Sequence, residues 1–181
     1  MQLNSLILRQ GGAHGINSYA LERDHRRAGL QALYEEHSAE PHGDSFKFGE
    51  LIGDYISRGG EIHYVIDDTG EVVGSAYVLG SRSLLQNLWP VERLFVAKSL
   101  GSEDRFMVAR ALIESVTESA TAGAAGRSDA IWLQVFIPTG ALMHPESQPI
   151  YGALEASGFR GVGINSAELW IRFIDPAATE R

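Results

Sequence analysis

The chain has 181 residues, 44% of them hydrophobic and 21% charged, with a formal net charge of -8 and no cysteine. That length and apolar content suit one buried core, so residues 1–181 read as a single domain, and the acidic balance argues against non-specific binding to nucleic acid or an anionic membrane. Without cysteine, disulfides, thiol nucleophiles and cysteine-ligated metals are excluded.

The first twelve residues, MQLNSLILRQGG, carry a short apolar run without a basic flank or cleavage site, so a signal peptide is not expected. No run approaches the roughly 20 apolar residues of a membrane span. The expectation is a soluble cytoplasmic protein. Leu3 to Arg9 reads as a first strand, ended by Gly11 and Gly12. Asp24 to Ala39 reads as a helix with Leu30, Leu33 and Tyr34 on one face and Glu35 and Glu36 opposite. After a breaker cluster from Pro41 to Asp44, Phe46 to Ser57 reads as a second helix, closed by Gly59 and Gly60.

A hairpin follows. Glu61 to Ile66 alternates, with His63 and Val65 on one side and Ile62, Tyr64 and Ile66 on the other. Asp67 to Gly70 is a turn signal, and Glu71 to Leu79 returns as a strand in which Gly74 marks a bulge or a close backbone approach. Leu84 to Val96 reads as another strand, interrupted by Pro90 or starting late, near Val91.

Ser102 reads as the N-cap of a helix to about Ala122, with Glu103 and Asp104 in its first turn and a buried stripe of Phe106, Ala109, Ile113, Val116 and Ala120. Ala130 to Ile137 is nearly all apolar, as a central strand covered on both faces would be. Pro138 to Pro149 is a long loop, and Pro149 opens a helix that stops at Gly158. Arg160 to Val162 and Ala167 to Ile174 are short strands. The order β-α-α-β-β-β-α-β-α-β-β is that of a mixed α/β domain with helices on both faces of a central sheet.

Three segments carry a family resemblance. The hairpin from Tyr64 to Gly74, the strand Glu92-Arg93-Leu94-Phe95-Val96, and the helix end Leu154-Glu155-Ala156-Ser157-Gly158-Phe159 together resemble the GNAT N-acyltransferase superfamily over residues 3–174. The resemblance implies that strands four and five splay apart and that the pantetheine arm of an acyl-CoA bonds the backbone of Leu94, Phe95 and Val96. It further implies that the pyrophosphate rests on the following helix start, at Ser102, Arg105, Phe106, Val108 and Ala109, by the general affinity of a helix N-terminus for anions. The family's glycine-rich loop falls here on Asp104 to Ala109, where only Ala109 fits.

Attack of an amine on a thioester needs a base, an oxyanion donor and an acid for the departing thiolate. Glu92, at the start of strand four, is the first candidate for the base; the alternative is a surface glutamate paired with Arg93. Tyr151 is the candidate acid, or else a core aromatic. His144 in the Pro138–Pro149 loop is a third catalytic candidate. The other histidines show no metal-ligand spacing, His63 reads as structural, and no metal is expected. The expected activity is transfer of an acetyl or other acyl group from CoA to a small-molecule or peptide amine, with acetyl-CoA as co-substrate and a homodimer implied by the resemblance. The alternatives are a non-catalytic ligand sensor or interaction module of the same fold, and a synthase that draws its acyl group from acyl-carrier protein.

Overall fold

The structure, a computed structural model, describes residues 2–9, 25–38, 48–79, 88–124, 131–138, 147–164 and 167–174. Its elements run β1 (Asn4–Arg9), α1 (His25–Ser38), α2 (Phe48–Ser57), β2 (Glu61–Ile66), β3 (Val72–Val78), β4 (Leu88–Val96), α3 (Ser102–Ala124), β5 (Ile131–Pro138), α4 (Gln148–Ala156), β6 (Arg160–Ile164) and β7 (Ala167–Ile174). All seven strands form one sheet in the order β1-β2-β3-β4-β5-β7-β6. Every neighbouring pair is antiparallel except β4 and β5, which run parallel. The helix and strand order is the one expected from the sequence.

Alternation along the strands sends apolar side chains to two cores. Ile62, Tyr64 and Tyr77 pack with Leu30, Tyr34, Phe48 and Ile52 of α1 and α2. Val65, Ala76, Val78 and Val96 pack on the other face with Val108, Leu112, Ile113 and Val116 of α3 and with Ala153 and Leu154 of α4. Burial of these groups is the main stabilising term, on the order of 25 cal/mol per Å² of apolar surface.

The hairpin turn forms as its residues dictate. The Asp67 carboxylate accepts the Thr69 N–H at 2.9 Å and the Glu71 N–H at 3.0 Å, and Gly70 takes φ 88°. The last helix has proline in its first turn and ends at Gly158, with φ 80°.

Three local expectations need correction. β4 neither breaks at Pro90 nor starts after it. The Pro90 carbonyl accepts the Leu79 N–H at 3.1 Å, so the proline stands in the strand at the end of the β3–β4 ladder, where its missing donor removes only the reciprocal bond to Leu79. Ser102 is the first helical residue rather than the cap: the Arg105 N–H donates to the Gly101 carbonyl at 2.9 Å, which makes Gly101 the N-cap. Finally, β5 is not covered on both faces. Leu133 and Val135 are buried, but Trp132 is 42% exposed and stacks edge-on against Phe173 of β7 with ring centroids 4.9 Å apart.

Candidate functional site

The site is built where β4 and β5 part. Their register pairs Leu88 with Trp132, Trp89 with Leu133, Pro90 with Gln134 and Val91 with Val135, and ends there. β5 continues to Pro138 on its β7 partners, while β4 continues from Arg93 to Val96 on its β3 partners alone. Two strands that share a sheet and stop pairing leave backbone donors and acceptors along the facing edge of each.

The antiparallel ladder decides which groups those are. The Ala97 N–H donates to the Val73 carbonyl at 3.0 Å. Alternation then turns the Phe95 and Arg93 backbone groups toward Ser75 and Tyr77 of β3, and turns those of Leu94 and Val96 toward the gap. Of the three β4 positions expected to bind a ligand through the backbone, Leu94 and Val96 therefore face the opening and Phe95 faces the sheet.

Glu92 occupies the point of divergence. The β3–β4 register jumps between Tyr77–Arg93 and Val78–Val91, so Glu92 is the extra residue of a β-bulge, and it is exposed. Bulges bend a strand and re-aim side chains. Here the bulge adjoins the last β4–β5 pair, and the bend coincides with the parting of the strands.

Beyond β4, residues 97–101 lead into α3. A cleft of about 470 Å³ at that helix start is lined by Ser102, Glu103, Phe106, Gln148, Pro149 and Gly152. Ser102 is exposed, and Phe106 is half-buried beneath Gly152, where an added Cβ would stand 3.5 Å from the ring. Val108 and Ala109 have no exposed surface and belong to the core, so only Ser102 and Phe106 of the expected helix residues border the cleft. The Arg105 guanidinium donates to the Lys98 carbonyl, folding back against the loop.

The C-terminal turn of α1 reaches this loop. Both Glu36 carboxylate oxygens lie 3.2 Å from the Lys98 N–H, and Lys98 Nζ donates to the Glu36 carbonyl at 3.1 Å. His37 Nε2 lies 3.0 Å from the Val96 carbonyl, and its ring stacks on Phe95 with centroids 4.7 Å apart and planes at 11°. Sequence reasoning missed both residues at the site, because their partners lie about sixty positions away and no local spacing marks them.

On the α1 face of the sheet, the buried Tyr77 and Tyr34 lie within electrostatic reach of the half-buried Arg93. Burial pushes the Tyr77 phenol well above its ordinary range; the Ser75 hydroxyl and the Arg93 charge oppose that rise, and Tyr34 adds to it. On the opposite face, His63 is wholly buried between the Ser115 hydroxyl at 2.9 Å and the Glu61 carboxylate at 3.1 Å, and Ser119 also donates to Glu61. A histidine so enclosed holds β2 to α3.

Tyr151 is 8% exposed and stacks on Trp170 with centroids 5.8 Å apart, within the α3–α4 core. His144 lies outside the described residues. Among the described residues, no helix is long and apolar enough to cross a membrane.

No protein-family model matches the sequence, and no curated protein matches it. Solved structures do match. A GNAT-family acetyltransferase from Staphylococcus aureus is 13% identical with a TM-score of 0.55, over 94% of this chain and 99% of that one. A ribosomal-protein-alanine N-acetyltransferase from Brucella melitensis is 15% identical with a TM-score of 0.59, over 94% and 99%. A GNAT-superfamily phosphinothricin acetyltransferase from Sinorhizobium meliloti, in complex with AcCoA, is 14% identical with a TM-score of 0.57, over 94% and 88%. At these identities the likeness concerns backbone architecture alone. One continuous sheet that parts between its fourth and fifth strands, matched over nearly the whole chain, gives this protein the fold of the GNAT acetyltransferases.

Proposed function

We propose that the protein is an acyl-CoA-dependent N-acyltransferase that transfers an acetyl group to a primary amine by direct attack. The observation that carries this is the end of β4–β5 pairing at Val91 and Val135, which leaves the Leu94 and Val96 backbone facing a gap beside the start of α3. An extended amide-bearing chain fits such an edge as an added strand does, and an anionic group fits the helix start. The residues suit a CoA ester in kind: Leu94 and Val96 for its amides, and the Ser102–Asp104 amides for its phosphates.

Bound acetyl-CoA supplies an activated acyl group and a thiol leaving group. Glu92, exposed at the bulge, takes the proton from the acceptor ammonium or from a water beside it. The Leu94 N–H, aimed into the gap, is the donor nearest the bulge on that edge and stabilises the developing oxyanion. Tyr151 serves as the acid for the thiolate, and His144 is a further candidate at the loop edge. Val108 and Ala109 act through packing, by fixing α3 against the sheet. Arg105 contacts the phosphates only after releasing the Lys98 carbonyl. The acceptor is a small-molecule or peptide amine, a class suited to a protein of net charge -8. A cytoplasmic location and a homodimer go with this function.

A second function, ligand sensing without turnover, is favoured by the start of α3, where only Ala109 of Asp104 to Ala109 fits the family's glycine-rich pattern. Thermal unfolding with acetyl-CoA, followed by thiol release with a panel of amines, tests both. A ligand that binds the native state raises the melting temperature. A rise with amine-dependent thiol release is expected. A rise without turnover on any amine assigns the sensor, and no rise with several acyl-CoAs removes both and leaves an acyl-carrier-protein donor.

A further inference from the structure

The last turn of α1 satisfies backbone groups that an acyl donor would need. The Val96 carbonyl is one of the few β4 groups facing the gap, and His37 Nε2 stands on it at 3.0 Å. The His37 side chain is only 18% exposed and is held in place by its stack on Phe95. Two residues on, the Lys98 N–H is shared by both oxygens of Glu36. The Lys98 carbonyl is taken by Arg105, and Lys98 Nζ is tied to the Glu36 carbonyl. From Val96 to Lys98 the loop is thus bound to α1 on one side and to the first turn of α3 on the other.

This arrangement bears directly on a ligand that runs along β4. A carbonyl has two lone pairs, but a ring stacked on the neighbouring residue and bonded to that oxygen stands in the path of an added strand. The Glu36 carboxylate also places negative charge at the loop that leads to the anion-binding helix start, where it opposes a diphosphate. Neither contact is explained by burial alone, since Leu30 and Tyr34 already fasten α1 to the sheet.

We propose that the last turn of α1 competes with the acyl donor for its place on β4, so that docking of Glu36 and His37 and binding of the donor exclude one another. This rests on the acyl-CoA function proposed above and adds a regulatory element to it. The apparent donor affinity is then set by how often the turn is released, and weakening the turn tightens binding.

Calorimetric titration of the full chain with CoA, for the wild type, His37→Phe and Glu36→Gln, tests the competition. Phenylalanine keeps the stack on Phe95 and loses the donor, whereas glutamine keeps the shape and loses the charge. Removal of one such hydrogen bond is expected to tighten CoA binding about three- to tenfold. Hydrogen exchange gives a readout independent of activity: amides of residues 34–38 in the wild type should exchange faster once CoA is bound. Variants that bind CoA while the wild type does not also support the competition. If the wild type binds CoA and both variants bind it equally or more weakly, with exchange at residues 34–38 unchanged or slower, the competition is overturned and the transferase function stands. If no form binds CoA, both fall.

Discussion

Gly74 of β3 lies so close to Val108 of α3 that a side chain at position 74 would strike it. A Cβ there would also stand 3.0 Å from Leu112 Cδ1 and 3.3 Å from the Phe95 carbonyl. The glycine therefore sets how near α3 approaches the sheet, and α3 starts at the cleft. Gly74→Val should overpack the α3 core and cost about 1–3 kcal/mol in urea unfolding. A wild-type midpoint for this variant would show that the helix can move outward without loss.

The buried polar link between β2 and α3 should tolerate little change. Glu61→Ala removes the partner of both His63 and Ser119, leaving buried polar groups unsatisfied. A loss of about 2–4 kcal/mol is expected by chemical denaturation. Glu114→Ala provides the contrast. Its ion pair with Arg110 is about half exposed on both sides, so the change should cost less than about 0.5 kcal/mol.

Asp67 gives the hairpin an acid-sensitive element. Burial works against its ionised form, but the Thr69 hydroxyl and the Glu71, Thr69 and Gly70 amides outweigh that and hold the carboxyl below its ordinary 3.8. With the folded pKa depressed, the stabilisation is whole above the unfolded value and is lost as pH falls through the folded one. Asp67→Ala should cost about 0.5–1 kcal/mol at neutral pH, an exposed turn giving the low end of the range for such bonds. The difference between variant and wild type should shrink below the unfolded value and not above it, which paired denaturation curves at several pH values would reveal.

Glu92→Gln tests the proposed base. The side chain is exposed, so stability should hold within about 0.5 kcal/mol. Removing a general base should lower kcat about 10²–10⁴-fold with little change in donor KM. An unchanged kcat would return Glu92 to the role of a surface glutamate.

Tyr151→Phe separates an acid from a core ring. Phenylalanine preserves the stack on Trp170, so the melting temperature should stay within a few degrees. A loss of about tenfold or more in kcat, largest with poor thiol leaving groups, is expected if the phenol donates a proton. Equal rates for variant and wild type would leave the tyrosine with packing alone.

Periodicity in the sequence was enough to determine the elements. The alternation from Glu61 to Ile66 separated Val65 and His63 from Ile62 and Tyr64, and the structure sends those two sets to opposite cores. The Asp67–Gly70 turn and the stop at Gly158 were legible because turn chemistry is local. Pro90 misled because one missing donor at the end of a ladder does not stop a strand whose flanking residues are paired. Ala130 to Ile137 misled because an apolar run does not say whether a helix covers it, and Trp132 is left half-exposed beside Phe173.

What only the tertiary structure decided is pairing across long separations. Hydrophobic pattern cannot say where β4 and β5 stop sharing bonds, that Glu92 is the bulged residue, or that Leu94 faces the gap while Phe95 faces β3; those follow from strand register. Nor can it bring Glu36 and His37 to Lys98 and Val96, since such contacts form when two elements already fastened by their apolar faces place their polar ends side by side. Local residue order wrote the fold of this chain into its sequence, and the meeting of distant backbone edges made its site.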